Sequence, residues 1–115
     1  MEALFSYGTL QQQAVQLDTF GRELIGEADT LAGFTIGEVE ITDAAVLKSS
    51  GQRFHPILRY SGNLSDRVPG TIFLVTHDEL KQADSYEVDD YKRVLLTFVS
   101  GKQAWCYVDA QAVLP

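Results

Sequence analysis

The sequence predicts a curved β-sheet or small barrel carrying one well-signalled helix, and three observations predict it. Valine, isoleucine, phenylalanine and tyrosine concentrate in short runs separated by glycine or polar turns, the pattern of strands. One stretch, "VTHDELKQADSYE", opens with Thr76 followed three residues later by Glu79, a capping box. The 115 residues, 45% hydrophobic and 22% charged, have a globular balance. A chain of this length can bury roughly two thirds of its unfolded surface around one core. Residues 1–115 are accordingly expected to form a single domain. With little helix available, curling or closing the sheet is the economical way to hide its edges.

Taken in order, the strand candidates are "ALFSY", "RELIGEADTL", "FTIGEVEIT", "HPILRY", "GTIFLVT", "RVLLTFV" and "QAWCYVD". Gly33, Ser50-Gly51, Ser61-Gly62-Asn63 and Ser100-Gly101 punctuate them, and "VSGKQAW" reads as a hairpin. A weaker helix is expected around "LQQQAVQL", with Leu10, Ala14 and Leu17 on one side. The main helix starts at Thr76, with Asp78 at the positive end of its dipole. Run through residue 87, it puts Leu80, Ala83 and Glu87 on one i, i+3, i+7 stripe. A carboxylate thus falls where a core leucine is expected.

Nine Lys and Arg against sixteen Asp and Glu give a net charge of −7. Such a field repels polyanions and argues against nucleic acid or anionic membranes as partners. It says less about small anions, because local donors overrule a field that salt screens within about 8–10 Å. With no apolar stretch of bilayer-spanning length and no basic, apolar leader, the sequence reads as soluble and cytoplasmic. Cys106, alone in "AWCYV", is expected to be a small buried hydrophobe. His55 and His77 are isolated and lack a cysteine partner, so neither a metal nor a cofactor is expected.

Two features carry possible chemistry. A carboxylate in a closed apolar site is disfavoured unless paired, so it gains donors or has its pKa raised into the range of a general acid/base. For Glu87 the plain alternative is a helix that ends at Tyr86, leaving the carboxylate in solvent or paired with Lys92 or Arg93. The second feature is "LFSYGTL", a strand that breaks at Gly8. Consecutive backbone N–H groups without a Cβ at Gly8 make an anion-binding concavity, strengthened by a following helix N-terminus. Thr9 offers a hydroxyl there and Tyr7 a phenol at the rim. The plain alternative is an ordinary strand-to-helix turn.

Together, "LFSYGTL" near the start and "ADSYEVDDYKR" some eighty residues later, with "HPIL" and "VPGTIFLVTHDEL" between them, resemble the gamma-glutamylcyclotransferase (AIG2-like) family. That family carries a Tyr-Gly-[Ser/Thr]-[Leu/Asn] loop after the first strand and a single downstream glutamate. The resemblance spans essentially the whole chain. It implies an α+β fold built on a small mixed β-barrel, with one main helix and short flanking helices. It also implies an enzyme that cyclises a γ-glutamyl amine or amino acid to 5-oxoproline and releases the free amine. By this resemblance Tyr7, Gly8, Thr9 and Leu10 hold the glutamyl moiety, Glu87 is the general acid/base, and Tyr91 lines the pocket or bonds the carboxylate. Packing for Tyr91 and a surface ion pair for Arg93 remain open beside this. So does a non-catalytic metabolite-binding module of the same fold, and a related enzyme acting on another amide. Arg22, Arg59 and Arg67 each have the charge to meet a second carboxylate, and the sequence does not rank them.

Overall fold

A computed structural model describes residues 1–40, 44, 54–86 and 90–114. Seven strands are described: β1 Glu2–Ser6, β2 Ile25–Ala32, β3 Phe34–Glu40, β4 Phe54–Tyr60, β5 Arg67–Val75, β6 Tyr91–Thr97 and β7 Gln103–Asp109. Each falls on one of the seven hydrophobic runs. A 3-10 turn at Thr9–Gln11 leads into α1, Gln13–Phe20, and α2 spans His77–Tyr86. The fold is therefore α+β, and the described residues place two helices on a sheet-rich core.

β2, β5, β1, β7 and β6 form a five-stranded sheet in that order, and β3 pairs with β4 in a separate two-stranded sheet. β1 is antiparallel to β5 and parallel to β7, with Leu4 opposite both Phe73 and Trp105. β5 extends three residues ahead of the run that predicted it and includes Pro69, opposite Thr30 of β2. At that point β5 is flanked by β2 alone, beyond the last β1 pair at Ser6–Thr71, so the missing N–H is tolerated.

The two faces of the sheet bury different partners, as the alternation of strand side chains requires. Phe5, Ile72, Cys106 and Val108 pack with Leu58 and Phe34 of the β3–β4 hairpin. Leu4 and Val75, with Trp105 and Tyr107 beside them, pack against Leu80 and Ala83 of α2 and Phe20 of α1. Two members of the expected α2 stripe are thus in the core. The third, Glu87, lies outside the described residues.

The expected barrel is not what the chain builds, because the sheet is open. Its terminal strands, β2 and β6, do not pair with each other. Side chains of the β6–β7 hairpin bridge toward β2 instead. Val99 N donates to Thr30 O (3.0 Å), Ser100 Oγ bonds Asp29, and Lys102 Nζ pairs with Glu27. One backbone bond and two side-chain links curl the sheet without continuing its ladder.

The weaker helix forms, with a different inward side. Ala14 and Leu17 are exposed, while Gln16 is buried. Its Nε2 donates to Leu10 O (2.9 Å) and its Oε1 accepts from Leu24 N (2.8 Å), so both halves of the buried amide are satisfied. No described helix is long and apolar enough to cross a membrane.

Candidate active site

β1 ends in the core at Ser6, and the chain leaves the sheet through Tyr7 and Gly8. Gly8 caps the 3-10 turn with φ −129°, and Gln11 N closes the turn on Gly8 O at 3.2 Å. Thr9 and Leu10 are the first residues of that turn, so their amides lie ahead of any acceptor the turn can supply. Thr9 is exposed, and Leu10 packs at the edge of the helix-side core. Gly8 N lies 3.4 Å from Ser6 Oγ. Gln11 braces the loop, donating to Gly8 O (3.3 Å) and accepting from Thr71 Oγ1 (3.1 Å).

The described neighbours leave room for a side chain at this point. Among the described residues, a Cβ at Gly8 would meet only Pro56 Cγ at 3.5 Å, an ordinary contact, while its φ of −129° and ψ of −143° lie outside the helical and extended regions. Pro56 is also where Tyr91 arrives, since the Tyr91 hydroxyl donates to Pro56 O at 2.7 Å. Pro56, from β4, therefore bonds Tyr91 and stands where a Cβ on Gly8 would reach, near two of the residues the sequence singled out.

A second chain of contacts runs through the end of α2. The Tyr7 hydroxyl donates to Tyr107 O (2.8 Å), and the Tyr107 hydroxyl donates to Asp84 Oδ1 (2.7 Å). Arg93 grips the same carboxylate with Nε (2.8 Å) and Nη2 (3.0 Å), and its guanidinium lies 4.4 Å from the Trp105 ring centre. Arg93 thus makes an ion pair, a reading the sequence left open for it, with Asp84 as partner in a half-buried position. Sequence reasoning did not single out Asp84 or Tyr107. The available signals were Asp84 one helical turn before Glu87, and Tyr107 alternating with Trp105 on one face of β7.

The start of α2 matches its capping box. Thr76 N donates to Glu79 Oε1 (2.8 Å) and Glu79 N to Thr76 Oγ1 (3.1 Å). Arg22 adds a two-pronged bond to Glu79, Nη2 to Oε1 at 2.7 Å and Nε to Oε2 at 2.9 Å. The Arg22 guanidinium, and behind it the Thr76 amide, hold the Glu79 carboxyl at about 2, against an ordinary 4.5. Cys106 is fully buried, and burial pushes its thiol far up, so it is packing.

Two hollows open elsewhere on the surface. One, of about 370 Å³, runs along Ile25, Leu74 and Lys102, away from the Gly8 loop. The other, of about 440 Å³, is lined by Arg59, Tyr60, Asp109 and the following residues Gln111 to Val113. Among the described residues, no three His, Cys, Asp or Glu side chains cluster as a metal site.

The chain belongs to the gamma-glutamyl cyclotransferase, AIG2-like family, whose model matches residues 4–113. No curated protein matches it. Its fold is similar to the solution structure of At5g39720.1 from Arabidopsis thaliana (TM-score 0.75, 22% identity, 99% of this chain and 72% of that one). It is also similar to At3g28950.1 from the same plant (TM-score 0.73, 21% identity, 99% of this chain). The chain spans 65% of the length of At3g28950.1. A crystal structure of the uncharacterized protein PH0828 from Pyrococcus horikoshii matches with TM-score 0.61 at 12% identity, over 99% of this chain and 82% of that one. At these identities the likeness concerns the fold.

Proposed function

We propose that the protein is a γ-glutamyl cyclotransferase that converts a γ-glutamyl amine or amino acid to 5-oxoproline and the free amine, with Glu87 as general acid/base. The observation that carries this reading is the glycine at position 8. Among the described residues no neighbour requires it, since a Cβ would meet only Pro56 Cγ at 3.5 Å, and the two amides after it open a turn. A residue without a Cβ there is explained by a ligand that approaches the backbone. Glu87 is flanked in sequence by Asp84 and Tyr91, and the contacts of both lead to this loop, through Tyr107 to Tyr7 and through Pro56 to Gly8. Family membership supports the same reading.

The substrate supplies both reacting groups, so the protein needs no nucleophile of its own. The α-amino nitrogen attacks the γ-carbonyl carbon, the new N–C bond closes the ring, and the bond to the departing nitrogen breaks. Two protons leave the α-ammonium. One passes through Glu87 to the departing nitrogen and the other exchanges with solvent, which protonates the released amine. The Gly8–Leu10 turn holds the glutamyl group in its ring-like shape, a positioning effect that supplies several kcal/mol of the barrier. The test is to incubate the protein with a panel of γ-glutamyl compounds and measure 5-oxoproline by mass spectrometry. Glu87→Gln is expected to lower the rate about 10²–10⁴-fold. Equal product from Glu87→Gln would remove the assigned role.

A second reading is a non-catalytic module that binds a small γ-glutamyl metabolite. It is favoured by the Tyr7 and Tyr91 hydroxyls, which both donate to backbone carbonyls and so brace the loop as a rigid platform. A γ-glutamyl compound that raises the melting temperature yet never turns over selects this reading.

A further inference from the structure

α2 is held at both ends by the same device, an arginine fork on a helix carboxylate. At its start Arg22 meets Glu79, which also exchanges the capping bonds with Thr76. At its end Arg93 meets Asp84, Nε to Oδ1 at 2.8 Å and Nη2 to Oδ2 at 3.0 Å. The apolar side of the helix is seated separately, by Leu80 and Ala83 in the core. Capping and docking of α2 thus rest on residues other than Asp84.

Asp84 receives more than the fork. The Tyr107 hydroxyl donates to Oδ1 at 2.7 Å, so this one oxygen accepts from a β6 side chain and a β7 side chain together. Arg93 is fixed in turn by the Trp105 ring, whose centre lies 4.4 Å from the guanidinium carbon. The Asp84 side chain is 37% exposed and that of Arg93 25%. An ion pair this open contributes about 0–1 kcal/mol to stability. What it supplies is direction, because a planar fork and a hydroxyl converging on one carboxylate allow it a single orientation.

The residue that donates to Asp84 is also the one on which the loop rests. Tyr107 accepts the Tyr7 hydroxyl on its backbone carbonyl and presents its own hydroxyl to Asp84. The last described turn of α2 and the residue before Gly8 therefore share an anchor on β7. α2 is described to Tyr86, and Glu87 comes next in sequence, three residues after Asp84.

We propose that Asp84 is a positioning residue: held by Arg93 and Tyr107, it registers the end of α2, and through it the acid/base Glu87, against the Tyr7–Leu10 loop. This rests on the cyclotransferase reading above and changes no bond made or broken in that reaction. Asp84 acts through Glu87, by limiting where the chain carries that carboxylate. A misplacement of about 1 Å in a reacting group costs on the order of 100-fold in rate.

The test is a double-mutant cycle on 5-oxoproline formation from γ-glutamyl-alanine. Asp84→Asn keeps the shape but removes the charge that holds the fork, and is expected to lower kcat roughly 10- to 100-fold with KM within about threefold of wild type. Tyr107→Phe removes one hydroxyl, leaves the carbonyl that Tyr7 meets, and should lower kcat about 3- to 10-fold. In a Glu87→Gln background either change should cost less than about twofold, because the group it positions no longer carries a proton. Arg22→Gln loosens the other end of the same helix and should leave kcat within about twofold of wild type. Melting temperatures establish that each variant folds, and if Asp84→Asn does not, the Tyr107→Phe cycle decides. Losses that multiply in full in the Glu87→Gln background, or an Arg22→Gln kcat as low as that of Asp84→Asn, would mean a general structural role and overturn the proposal. No 5-oxoproline from wild type overturns the cyclotransferase reading and the positioning role with it, whereas an active wild type with multiplying losses overturns the positioning role alone.

Discussion

Two glycines differ in the room their described neighbours leave for a side chain. At Gly70 a Cβ would stand 2.4 Å from Ser6 O and 2.6 Å from Phe5 Cζ, so the β1–β5 contact has no room for a side chain. At Gly8, among the described residues, a Cβ finds only an ordinary contact with Pro56. Gly70→Ala is therefore expected to destabilise by about 2–4 kcal/mol, read as a lowered denaturation midpoint. Gly8→Ala is expected to leave that midpoint within about 0.5 kcal/mol of wild type while lowering kcat/KM on a γ-glutamyl substrate at least about tenfold. A large loss of stability in Gly8→Ala would return that glycine to a structural role. The "YGTL" motif was legible because a strand that stops at a glycine is visible in sequence. Which of the two uses a glycine serves was not, since that depends on Pro56 and Phe5 arriving from elsewhere in the fold.

At the level of elements, α2 was the most legible part of the chain, because a capping box is a local device written in four consecutive residues. Thr76 and Glu79 exchange the two bonds that the spacing calls for. The Arg22 fork on Glu79 was not legible, since it joins residues 57 apart in sequence. It gives the helix start a pH signature. The folded-state pKa of Glu79 is depressed, so its contribution to stability is present in full above the ordinary 4.5 and is lost as pH falls through about 2. Glu79→Gln can keep the capping bond to Thr76 but can neither ionise nor pair with Arg22. Its melting temperature should lie below wild type by roughly 4 °C above pH 5, with the gap closing as pH falls toward 2. A gap that does not change with pH would mean that the ion pair contributes nothing. α1 teaches the opposite lesson. "LQQQAVQL" reads as an apolar side of Leu10, Ala14 and Leu17, yet the chain turns Gln16 inward, where its amide both donates to the half-buried Leu10 carbonyl and accepts from the Leu24 amide.

Over the whole molecule, the seven strands and their class were readable from short β-branched runs, whereas closure was not. A barrel and an open curled sheet place the same residues inside, and they differ in whether β2 and β6 pair. Here Asp29, Glu27 and the Thr30 carbonyl meet the β6–β7 hairpin instead, through polar contacts that leave no trace in hydrophobic periodicity. The described part of the candidate site draws on β1, β4, α2, β6 and β7, and the two ends proposed for it from sequence are the loop and Glu87, the latter outside the described residues. The members between them, Pro56, Asp84 and Tyr107, were hidden because strand and helix residues of ordinary type acquire their roles only by adjacency. The central claim is that the Gly8–Leu10 turn and Glu87 share one γ-glutamyl site. The most direct test is a backbone amide shift map of Glu87→Gln titrated with a γ-glutamyl amino acid. The account predicts that the largest shifts fall on Gly8, Thr9, Leu10 and the amide at position 87. Shifts confined to the groove along Ile25 and Leu74, with the loop amides unmoved, would contradict it.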